Sequence, residues 1–466
     1  MLYSAFNQEI GDVYLWDEAV AAQGIKVFLG ILDGIPVLRT TMIGEITQAM
    51  AGSEVTIAGW VHEVRELGKL TFMLVRDRTG IVQVVAKSGA TEPAVKAAMS
   101  MPKESVVKVT GTVKLSKEAR SGYEIVPKEV VDLNPLSAII PFEVTGKVPA
   151  ELDVRLDHRY IDLRRLETTA VFNIESTILR SFREVLTGLG FMEIRTPSIV
   201  KEATEGGTEL FGVNYFESKA YLAQSPQLYK QMAVIGGLDR VFIITPVFRA
   251  EKSNTTYHLT ESTQMDIEIG FANADDAIDV LKKVVTGILK GVKERNAADL
   301  EILGVKGFDV PEIKEVTYNE LIDRIRADGT EIKSGDDISR KEEDMVRRLY
   351  GDAVVVRKFP ASLRAFYSMP SPDNAELTES YDFIYKGLEI CSGAQRIHKP
   401  EMLVESLERK GLDPEDFKSY VDAFRCGAPP HAGWSIGLER LAMRITGVSN
   451  IRECSLFPRD RKRLTP

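Results

Sequence analysis

Short runs of alternating apolar and polar residues occupy the segment from 54 to 131, the period-two pattern of strands that bury one face. Turn residues such as Gly68 and Gly89 separate the runs. Five short strands in succession predict a β-barrel of the OB-fold type, whose outer face binds single-stranded nucleic acid by stacking and by hydrogen bonds. The predicted strands span residues 55–64, 70–76, 81–86, 106–115 and 123–131.

The second half of the chain has a different periodicity. Apolar residues recur every three or four positions over 171–189, which predicts an amphipathic helix that ends at Gly190. Residues 191–197 have the pattern of a strand stopped by Pro197. The apolar run 241–248 and the alternating run 265–271 then predict two strands joined by a polar loop.

Prolines at positions 135, 141 and 149 mark a boundary between these halves. A chain of 466 residues is too long for one ordinary domain, so we expect two or three. We predict an N-terminal extension without an assigned role over 1–40, a barrel domain over 41–135, a hinge over 136–165 and a larger domain over 166–466.

The composition argues against two classes of protein. A net charge of −9 does not fit a protein coated in basic residues for indiscriminate nucleic-acid binding. The chain has no apolar run of about 18 residues, so we predict no membrane span. Its three cysteines form neither a zinc pattern nor a disulfide framework, and residues 1–39 lack the features of a signal peptide. We therefore expect a cytoplasmic protein in a reducing environment.

The polar loop of the predicted hairpin carries side chains suited to a nucleotide. Arg249 supplies a planar fork for phosphate oxygens, and Glu251 can accept a hydrogen bond from an exocyclic amine. His258 lies in the same loop. An Arg-x-Glu pair taken alone is usually an ordinary charged turn, so the prediction depends on further motifs.

Two carboxylates, Asp382 and Glu389, lie seven positions apart in the segment 381–398. Mg²⁺ prefers a few oxygen ligands together with the phosphates of a nucleotide. Paired carboxylates close to a phosphate-binding hairpin therefore predict a magnesium site. The alternative interpretation is a strand with scattered charges.

Three segments, in order along the chain, resemble the signature motifs of the class II aminoacyl-tRNA synthetases. The helix and strand that end at Pro197 are similar to motif 1, the hairpin with Arg249 and Glu251 to motif 2, and GWSIGLERL at 433–441 to motif 3. Residues 40–466 together resemble the aspartyl members of archaeal and eukaryotic type. The implied fold class is α+β: a five-stranded OB-fold barrel followed by a class II catalytic domain, an antiparallel sheet flanked by helices.

The resemblance implies an ATP-dependent ligase that activates L-aspartate to aspartyl-adenylate and transfers it to tRNA-Asp. It also implies Mg²⁺ as the cofactor and a homodimer built on motif 1. Lys230 resembles the lysine that meets the substrate side-chain carboxylate in aspartyl members and is usually missing from asparaginyl members. An asparaginyl enzyme is therefore the nearest alternative, and Lys230 argues against it.

Two further alternatives differ in class. A synthetase-like ligase that ignores tRNA would have no use for the barrel. A non-catalytic nucleic-acid-binding protein would have no use for Arg249, Glu389 and Arg440 together.

The resemblance assigns roles to individual residues. The expected catalytic residues are Arg249 and Arg440. The expected aspartate contacts are Glu205, Gln227, Lys230, Arg249, Ser392 and Arg396. The expected ATP contacts are Arg249, Glu251, Tyr257, His258, Leu259, Glu389, Gly437, Leu438, Glu439 and Arg440. The expected metal site is Asp382, Glu389 and Ser392, and the expected anticodon contacts are Arg65, Phe72, Gln83 and Glu124.

Two positions bear on which tRNA is charged. His62 stands where strict archaeal members tend to carry tryptophan, and it is similar to relaxed members, which also charge tRNA-Asn. Arg120, at a second such position, does not match the proline common in relaxed members. The two cues conflict; we expect the relaxed form, with a strictly tRNA-Asp-specific enzyme as the alternative.

The chain departs from many class II relatives at two positions of motif 2. Ser262 follows Glu261 where an aromatic residue commonly stacks on adenine, and Tyr257 stands where an arginine is common. No residue is therefore assigned to stack on the adenine.

Overall fold

The five strands predicted near the N-terminus close into a barrel in the computed structural model. The structure describes residues 38–134, 136–201, 210–252 and 255–466. These divide into two units between Pro141 and Phe142, within the segment predicted as a hinge. Among the described residues, no helix combines the length and the apolar character that crossing a membrane requires. The predicted extension over 1–40 lies almost entirely outside the described residues.

The barrel follows the predicted alternation closely. Its strands are adjacent in the order β1-β2-β3-β5-β4, and their inward residues, such as Ile57, Met73 and Val84, are fully buried. Because every second residue points inward, the others form an outer face. The elements are β1 Glu54–Leu67, β2 Leu70–Asp77, β3 Gly80–Lys87, α1 Pro93–Ala98, β4 Val106–Leu115 and β5 Tyr123–Asn134.

The larger unit contains an eight-stranded sheet with the order β12-β13-β14-β15-β16-β11-β10-β6. Neighbouring strands are antiparallel except for β12 with β13 and β10 with β6. Its strands are β6 Met192–Glu193, β10 Arg240–Phe248, β11 Glu261–Gly270, β12 Lys314–Thr317, β13 Ala353–Arg357, β14 Ser380–Tyr385, β15 Glu389–Gln395 and β16 His431–Gly437. A separate sheet has the order β7-β9-β8, from β7 Ile199–Val200, β8 Gly212–Tyr215 and β9 Ser218–Leu222.

Helices surround this sheet. They are α2 Leu152–Asp157, α3 Arg159–Asp162, α4 Leu166–Gly188, α5 Gln227–Ala233, α6 Ala274–Arg295, α7 Ala297–Ile302, α8 Tyr318–Ala327, α9 Arg340–Tyr350, α10 Pro400–Arg409, α11 Lys418–Arg425 and α12 Leu438–Thr446. Short 3₁₀ turns occur at Ile43–Glu45, Gln48–Met50, Ala361–Leu363 and Ile451–Cys454, and a π turn at Val234–Leu238.

The apolar stripes of α4 and α6 pack with the central strands into one large core. Phe182 of α4 meets Phe242 and Trp434 edge to face, with ring centroids 5.7 and 6.2 Å apart. Trp434 of β16 also donates a hydrogen bond of 3.0 Å to the carbonyl of Ala277 in α6. The core therefore fixes the middle strands of the sheet, and the predicted α+β fold class is confirmed.

Candidate active site

A cavity of about 360 Å³ lies against the middle strands of the eight-stranded sheet. It is bounded by the loop between β10 and β11, by β15 and by the junction of β16 with α12. Segments far apart in the chain therefore supply one site. The predicted substrate or metal residues that line the cavity are Gln227, Arg249, Glu251, Tyr257, His258, Leu259, Glu389, Ser392, Arg396, Gly437, Glu439 and Arg440.

Of the other residues predicted to contact substrate or metal, three do not line the cavity and one lies outside the described residues. Lys230, Asp382 and Leu438 are not among the described residues that line the cavity. Leu438 is buried in the large core, and the other two lie beneath the cavity wall with charged partners. Glu205 falls in the stretch 202–209, which lies outside the described residues.

The loop between β10 and β11 presents the side chains suited to a nucleotide. The backbone amide of Arg249 donates to the carbonyl of Thr260 at 2.9 Å and closes the base of the hairpin. Within the loop, His258 Nε2 lies 3.6 Å from Glu251 Oε2, while His258 Nδ1 lies 2.6 Å from Thr255 Oγ1. A guanidinium, a carboxylate and an imidazole thus share one wall of the cavity.

Glu439 joins the opposite wall to this hairpin. Its two carboxylate oxygens accept hydrogen bonds from the backbone amide of Thr263 on β11, at 2.9 and 3.1 Å. Burial raises the pKa of Glu439 to about 7. The next residue, Arg440, donates from Nη1 to the carbonyl of Glu389 at 3.2 Å and lines the cavity. Two arginines, Arg249 from the hairpin and Arg440 from the start of α12, thus line the same cavity.

Two cations and two carboxylates form a buried cluster beside β11, which we call the floor of the cavity: Lys230, Arg396, Asp266 and Glu268. Lys230 Nζ lies 2.6 Å from Asp266 Oδ1 and 3.6 Å from Glu268 Oε2. Arg396 pairs with both oxygens of Glu268, at 2.8 and 3.1 Å. Each of these four side chains is at least 97% buried, with exposures of 3% or less. Because buried charges must be paired, these four groups hold one another in place.

The two neighbouring cations control the protonation of Glu268. Burial alone would raise the pKa of Glu268, but the positive charges of Arg396 and Lys230 outweigh it and lower that pKa. Glu268 is therefore ionised and consumes part of the positive potential of both cations. A side chain at Gly433 could not be accommodated, since a Cβ there would lie 2.3 Å from Glu268 Oε2. Arg396 lines the cavity, whereas Lys230 is fully buried and does not line it.

The predicted metal residues come together on β14 and β15. Asp382 faces Ser392 across the two strands. Glu389 and Ser392 both line the cavity, although an odd spacing in a regular strand would place them on opposite faces. A shift in the β14–β15 register beside Glu389 accounts for this.

The donor set fits a hard cation that is completed by a nucleotide. Burial and the charge of Asp382 raise the pKa of Glu389 to about 8, so a cation bound beside these two carboxylates would relieve their repulsion. Among the described residues, no three His, Cys, Asp or Glu side chains form a self-sufficient metal site. A magnesium ion here would therefore draw its remaining ligands from phosphate, hydroxyl and water oxygens.

The sequence patterns did not predict a role for Arg364, Asp266 or Glu268. Arg364 lines the cavity and donates to both oxygens of Asp382. It lies in an irregular segment, where no periodic pattern of residues indicates which way a side chain points. The two carboxylates had a usable signal, because their spacing of two in a strand places both on one face.

The predicted anticodon residues share the outer face of the barrel. Arg65 on β1 lies directly opposite Phe72 on β2. Gln83 and Glu124 precede the paired, fully buried residues Val84 and Ile125 of adjacent parallel strands. Both therefore point outward, side by side. Four strands thus supply one cation, one aromatic platform, one amide and one carboxylate to the same face.

The two residues predicted to influence tRNA choice have different environments. His62 is half-buried, and its Nδ1 lies 2.9 Å from Arg76 Nη1. Arg76 in turn pairs with both oxygens of Glu104 at 2.9 Å, and that pair is almost completely buried. Arg120 is exposed in the connection between β4 and β5.

Comparison with known families agrees with this geometry. Residues 151–461 match the model described as tRNA synthetases class II (D, K and N). Residues 55–133 match the model described as OB-fold nucleic acid binding domain. The chain belongs to the class II tRNA synthetases. The predicted family and enzyme class are therefore confirmed, and ATP is the nucleotide that enzymes of this class use.

Individual relatives of this synthetase cover nearly all of it. It is 46% identical to the aspartate–tRNA(Asp/Asn) ligase of Methanocaldococcus jannaschii over 431 residues, which is 92% of this chain and 98% of that protein. The ligase of the same name from Archaeoglobus fulgidus is 46% identical over 425 residues, covering 91% of this chain and 99% of that one.

Solved structures give the same picture of this synthetase. The asparaginyl-tRNA synthetase of Pyrococcus horikoshii with asparaginyl-adenylate superposes with a TM-score of 0.87 at 31% identity, covering 92% of this chain and 100% of that one. The aspartyl-tRNA synthetase of Entamoeba histolytica superposes with a TM-score of 0.82 at 34% identity, covering 92% and 93%.

Proposed function

We propose that this synthetase is an aspartate–tRNA ligase of the relaxed form, which charges both tRNA-Asp and tRNA-Asn. The observation that carries the amino-acid specificity is that Arg396 lines the cavity while it shares the carboxylate of Glu268 with the buried Lys230. The proposal for the tRNA specificity is supported by the names of the archaeal relatives that match nearly the whole chain.

The reaction has two steps. The α-carboxylate of aspartate attacks the α-phosphorus of ATP, the bond to pyrophosphate breaks, and aspartyl-adenylate forms. A terminal ribose hydroxyl of the tRNA then attacks the acyl carbon, loses its proton and releases AMP. No side chain has to form a covalent intermediate, so the residues act by positioning and by electrostatic stabilisation.

Arg249 and Arg440 are the residues we propose to act on the reacting phosphates. Both line the cavity, where they can reduce the repulsion between two anionic substrates. Glu251 and His258 share the wall with Arg249 and would hold the purine and the phosphates respectively. Glu439 fixes the strand and helix that carry these groups.

Discrimination between aspartate and asparagine would come from Arg396, the one of the two buried cations that lines the cavity. A carboxylate can accept charge-assisted hydrogen bonds from Arg396 that a carboxamide satisfies less well. Lys230 is fully buried and would add positive electrostatic potential at the cavity without contacting solvent. We propose that Gln227, which lines the cavity and donates a 2.9 Å hydrogen bond to Gln231, contacts the amino-acid substrate.

Glu389, Ser392 and Asp382 are the residues we propose to hold Mg²⁺. When bound, the ion would neutralise phosphate charge and orient the pyrophosphate leaving group. The protein residues contribute one cavity-facing carboxylate, one hydroxyl and a second carboxylate beneath them.

A homodimer is proposed from motif 1. Strand β6 has only two residues, lies at the edge of the sheet and exposes 53% of Met192. An exposed edge strand beside the helix α4 is the kind of surface that pairs with a second copy. We also propose that the enzyme acts in the cytoplasm.

Two measurements test the main proposal. Aspartate-dependent exchange between ATP and pyrophosphate should be observed, and asparagine should not support it. An exchange that requires asparagine would instead favour the asparaginyl alternative, which the similarity to the Pyrococcus horikoshii structure makes the second candidate. Charging assays on separate tRNA-Asp and tRNA-Asn then distinguish the relaxed form from the strict one.

A further inference from the structure

Arg364 reaches the predicted metal carboxylates from the segment between the short turn Ala361–Leu363 and β14. Its Nη1 lies 2.9 Å from Asp382 Oδ1, and its Nη2 lies 2.5 Å from Asp382 Oδ2. Nη1 also lies 3.3 Å from Ser392 Oγ. The guanidinium therefore binds Asp382 in the bidentate manner that arginine prefers and contacts a second proposed metal ligand as well.

The pair is held in a semi-enclosed position. The side chains of Arg364 and Asp382 are only 13% and 11% exposed. The guanidinium carbon lies 3.6 Å from the ring centroid of Phe359, so the planar group is stacked as well as hydrogen-bonded. Arg364 still forms part of the cavity wall. It is thus a preorganised cation at the point where the proposed metal would bind.

A guanidinium and a divalent cation compete for the same oxygens. The lone pairs that Asp382 offers to Arg364 are those it would offer to a metal, and the two cations repel each other at short distance. A metal that arrived with ATP would change this balance, because the phosphates would supply further metal ligands and new acceptors for the Arg364 guanidinium. A free metal ion brings neither.

We propose that Arg364 is a positioning residue that occupies Asp382 and Ser392 until Mg²⁺ enters together with ATP. The ligand-free enzyme then has low affinity for the free cation, and the metal site forms only around the nucleotide. This inference rests on the proposed function, because it takes Asp382, Glu389 and Ser392 as the metal site of the ligase.

The test uses Mn²⁺ as a probe of the ligand-free, full-length protein, with free Mn²⁺ measured by electron paramagnetic resonance. Arg364→Met and Arg364→Gln remove the competing charge, and each should bind Mn²⁺ roughly tenfold more tightly than wild type, the size expected for loss of a charge-assisted bond. Arg364→Lys keeps the charge and should stay closer to wild type. Adding Asp382→Asn to Arg364→Met should abolish the gain.

Arg347→Met is the matched control, since Arg347 pairs with Asp352 at 2.7 Å on the surface. It should leave Mn²⁺ binding unchanged. Adding a non-hydrolysable ATP analogue should tighten Mn²⁺ binding strongly in wild type and much less in Arg364→Met. Arginine variants that remain folded by thermal melting yet bind Mn²⁺ no more tightly than wild type would overturn the inference.

The outcome can be separated from failure of the proposed function. If wild type carries out aspartate-dependent pyrophosphate exchange but the Arg364 variants show no gain in Mn²⁺ affinity, the inference alone fails. If wild type shows no such exchange, the proposed function fails whatever the Mn²⁺ measurements give.

Discussion

Lys230 Nζ lies 2.6 Å from Asp266 Oδ1, with both side chains at most 1% exposed. This lysine is one of the two cations on which the proposed preference for aspartate depends, and it is already paired within the protein. It also lies 3.6 Å from Glu268, the carboxylate that pairs with the cavity-lining Arg396. Removal of Lys230 therefore has consequences for both specificity and stability.

We expect Lys230→Met to weaken the use of aspartate far more than the use of ATP. Loss of one buried cation leaves Asp266 poorly paired, which should lower the free energy of unfolding by about 3–5 kcal/mol. The apparent KM for aspartate in pyrophosphate exchange should rise by at least about tenfold, while the KM for ATP changes little. Both constants should be measured below the melting temperature of the variant.

The double variant Lys230→Met, Asp266→Asn is the control. It removes both charges, so much of the stability should return while the use of aspartate stays impaired. A variant with restored stability and a wild-type KM for aspartate would contradict the role proposed for Lys230.

The buried Glu439 predicts a pH dependence of stability. Burial raises the pKa of Glu439 from an ordinary 4.5 to about 7 in the folded protein. Between these values the folded state retains a proton that the unfolded state has lost, so stability falls as the pH rises towards 7 and changes no further above it. This group should contribute a decline of roughly 2–3 kcal/mol between pH 5 and pH 8.

Chemical unfolding of wild type and Glu439→Gln at both pH values measures this contribution. The variant cannot titrate at this position, so its stability should fall less over the same interval. Glu405→Gln, at an exposed position of α10, should behave like wild type. Equal declines in wild type and Glu439→Gln would show that the proton is not held at this carboxyl.

Phe72→Ala should weaken tRNA binding without affecting amino-acid activation. The ring lies on the outer face of the barrel opposite Arg65, where a base can stack on it. Loss of one stacked base corresponds to about 1–3 kcal/mol, or roughly 5- to 150-fold in affinity. Filter binding of tRNA-Asp measures the loss, and pyrophosphate exchange should remain at the wild-type rate.

Lys128→Ala provides a control for this experiment. Lys128 is exposed on β5 and forms a surface pair with Glu54, so its removal should change tRNA affinity only slightly. Equal losses of affinity in Phe72→Ala and Lys128→Ala would point to general electrostatics instead of stacking.

The Arg76–His62 contact predicts an effect on tRNA choice. Arginine only donates, so His62 Nδ1 must accept, and the neutral ring carries its proton on Nε2. Replacing Arg76 by Met together with Glu104 by Gln removes the buried pair without leaving a lone charge. The ratio of tRNA-Asn to tRNA-Asp charging should then change, as it should in His62→Gln, with pyrophosphate exchange unaltered.

A ratio that changes in His62→Gln but not in the double variant would show that His62 acts without help from Arg76. A ratio that stays constant in both would remove His62 from the set of discriminating residues.

Local elements were predictable from the sequence because their periods are regular. The barrel strands begin and end within about three residues of the predicted limits, and the long helix begins at Leu166 where 171 was expected. The strand after it is shorter than predicted. Only Met192 and Glu193 pair in the sheet before the chain turns away at Pro197.

The sequence did not predict which charged residues of the site are buried and paired and which line the cavity. Glu268 and Arg396 are 128 residues apart, and no local pattern shows that they pair before a substrate arrives. The register shift that turns both Glu389 and Ser392 towards the cavity also breaks the alternation on which strand prediction relies. Arg364 could be recognised only once the segments had been brought together.

Strands β11, β15 and β16 each have a neighbour on both sides, whereas β6 is a two-residue strand at the rim. Backbone amides in the middle of such a sheet exchange with solvent only in the rarest openings, while those at its edge exchange in brief local fluctuations. The cavity lies against the middle strands. In a single copy of the chain, local opening at β6 can therefore occur while the strands that line the cavity stay paired.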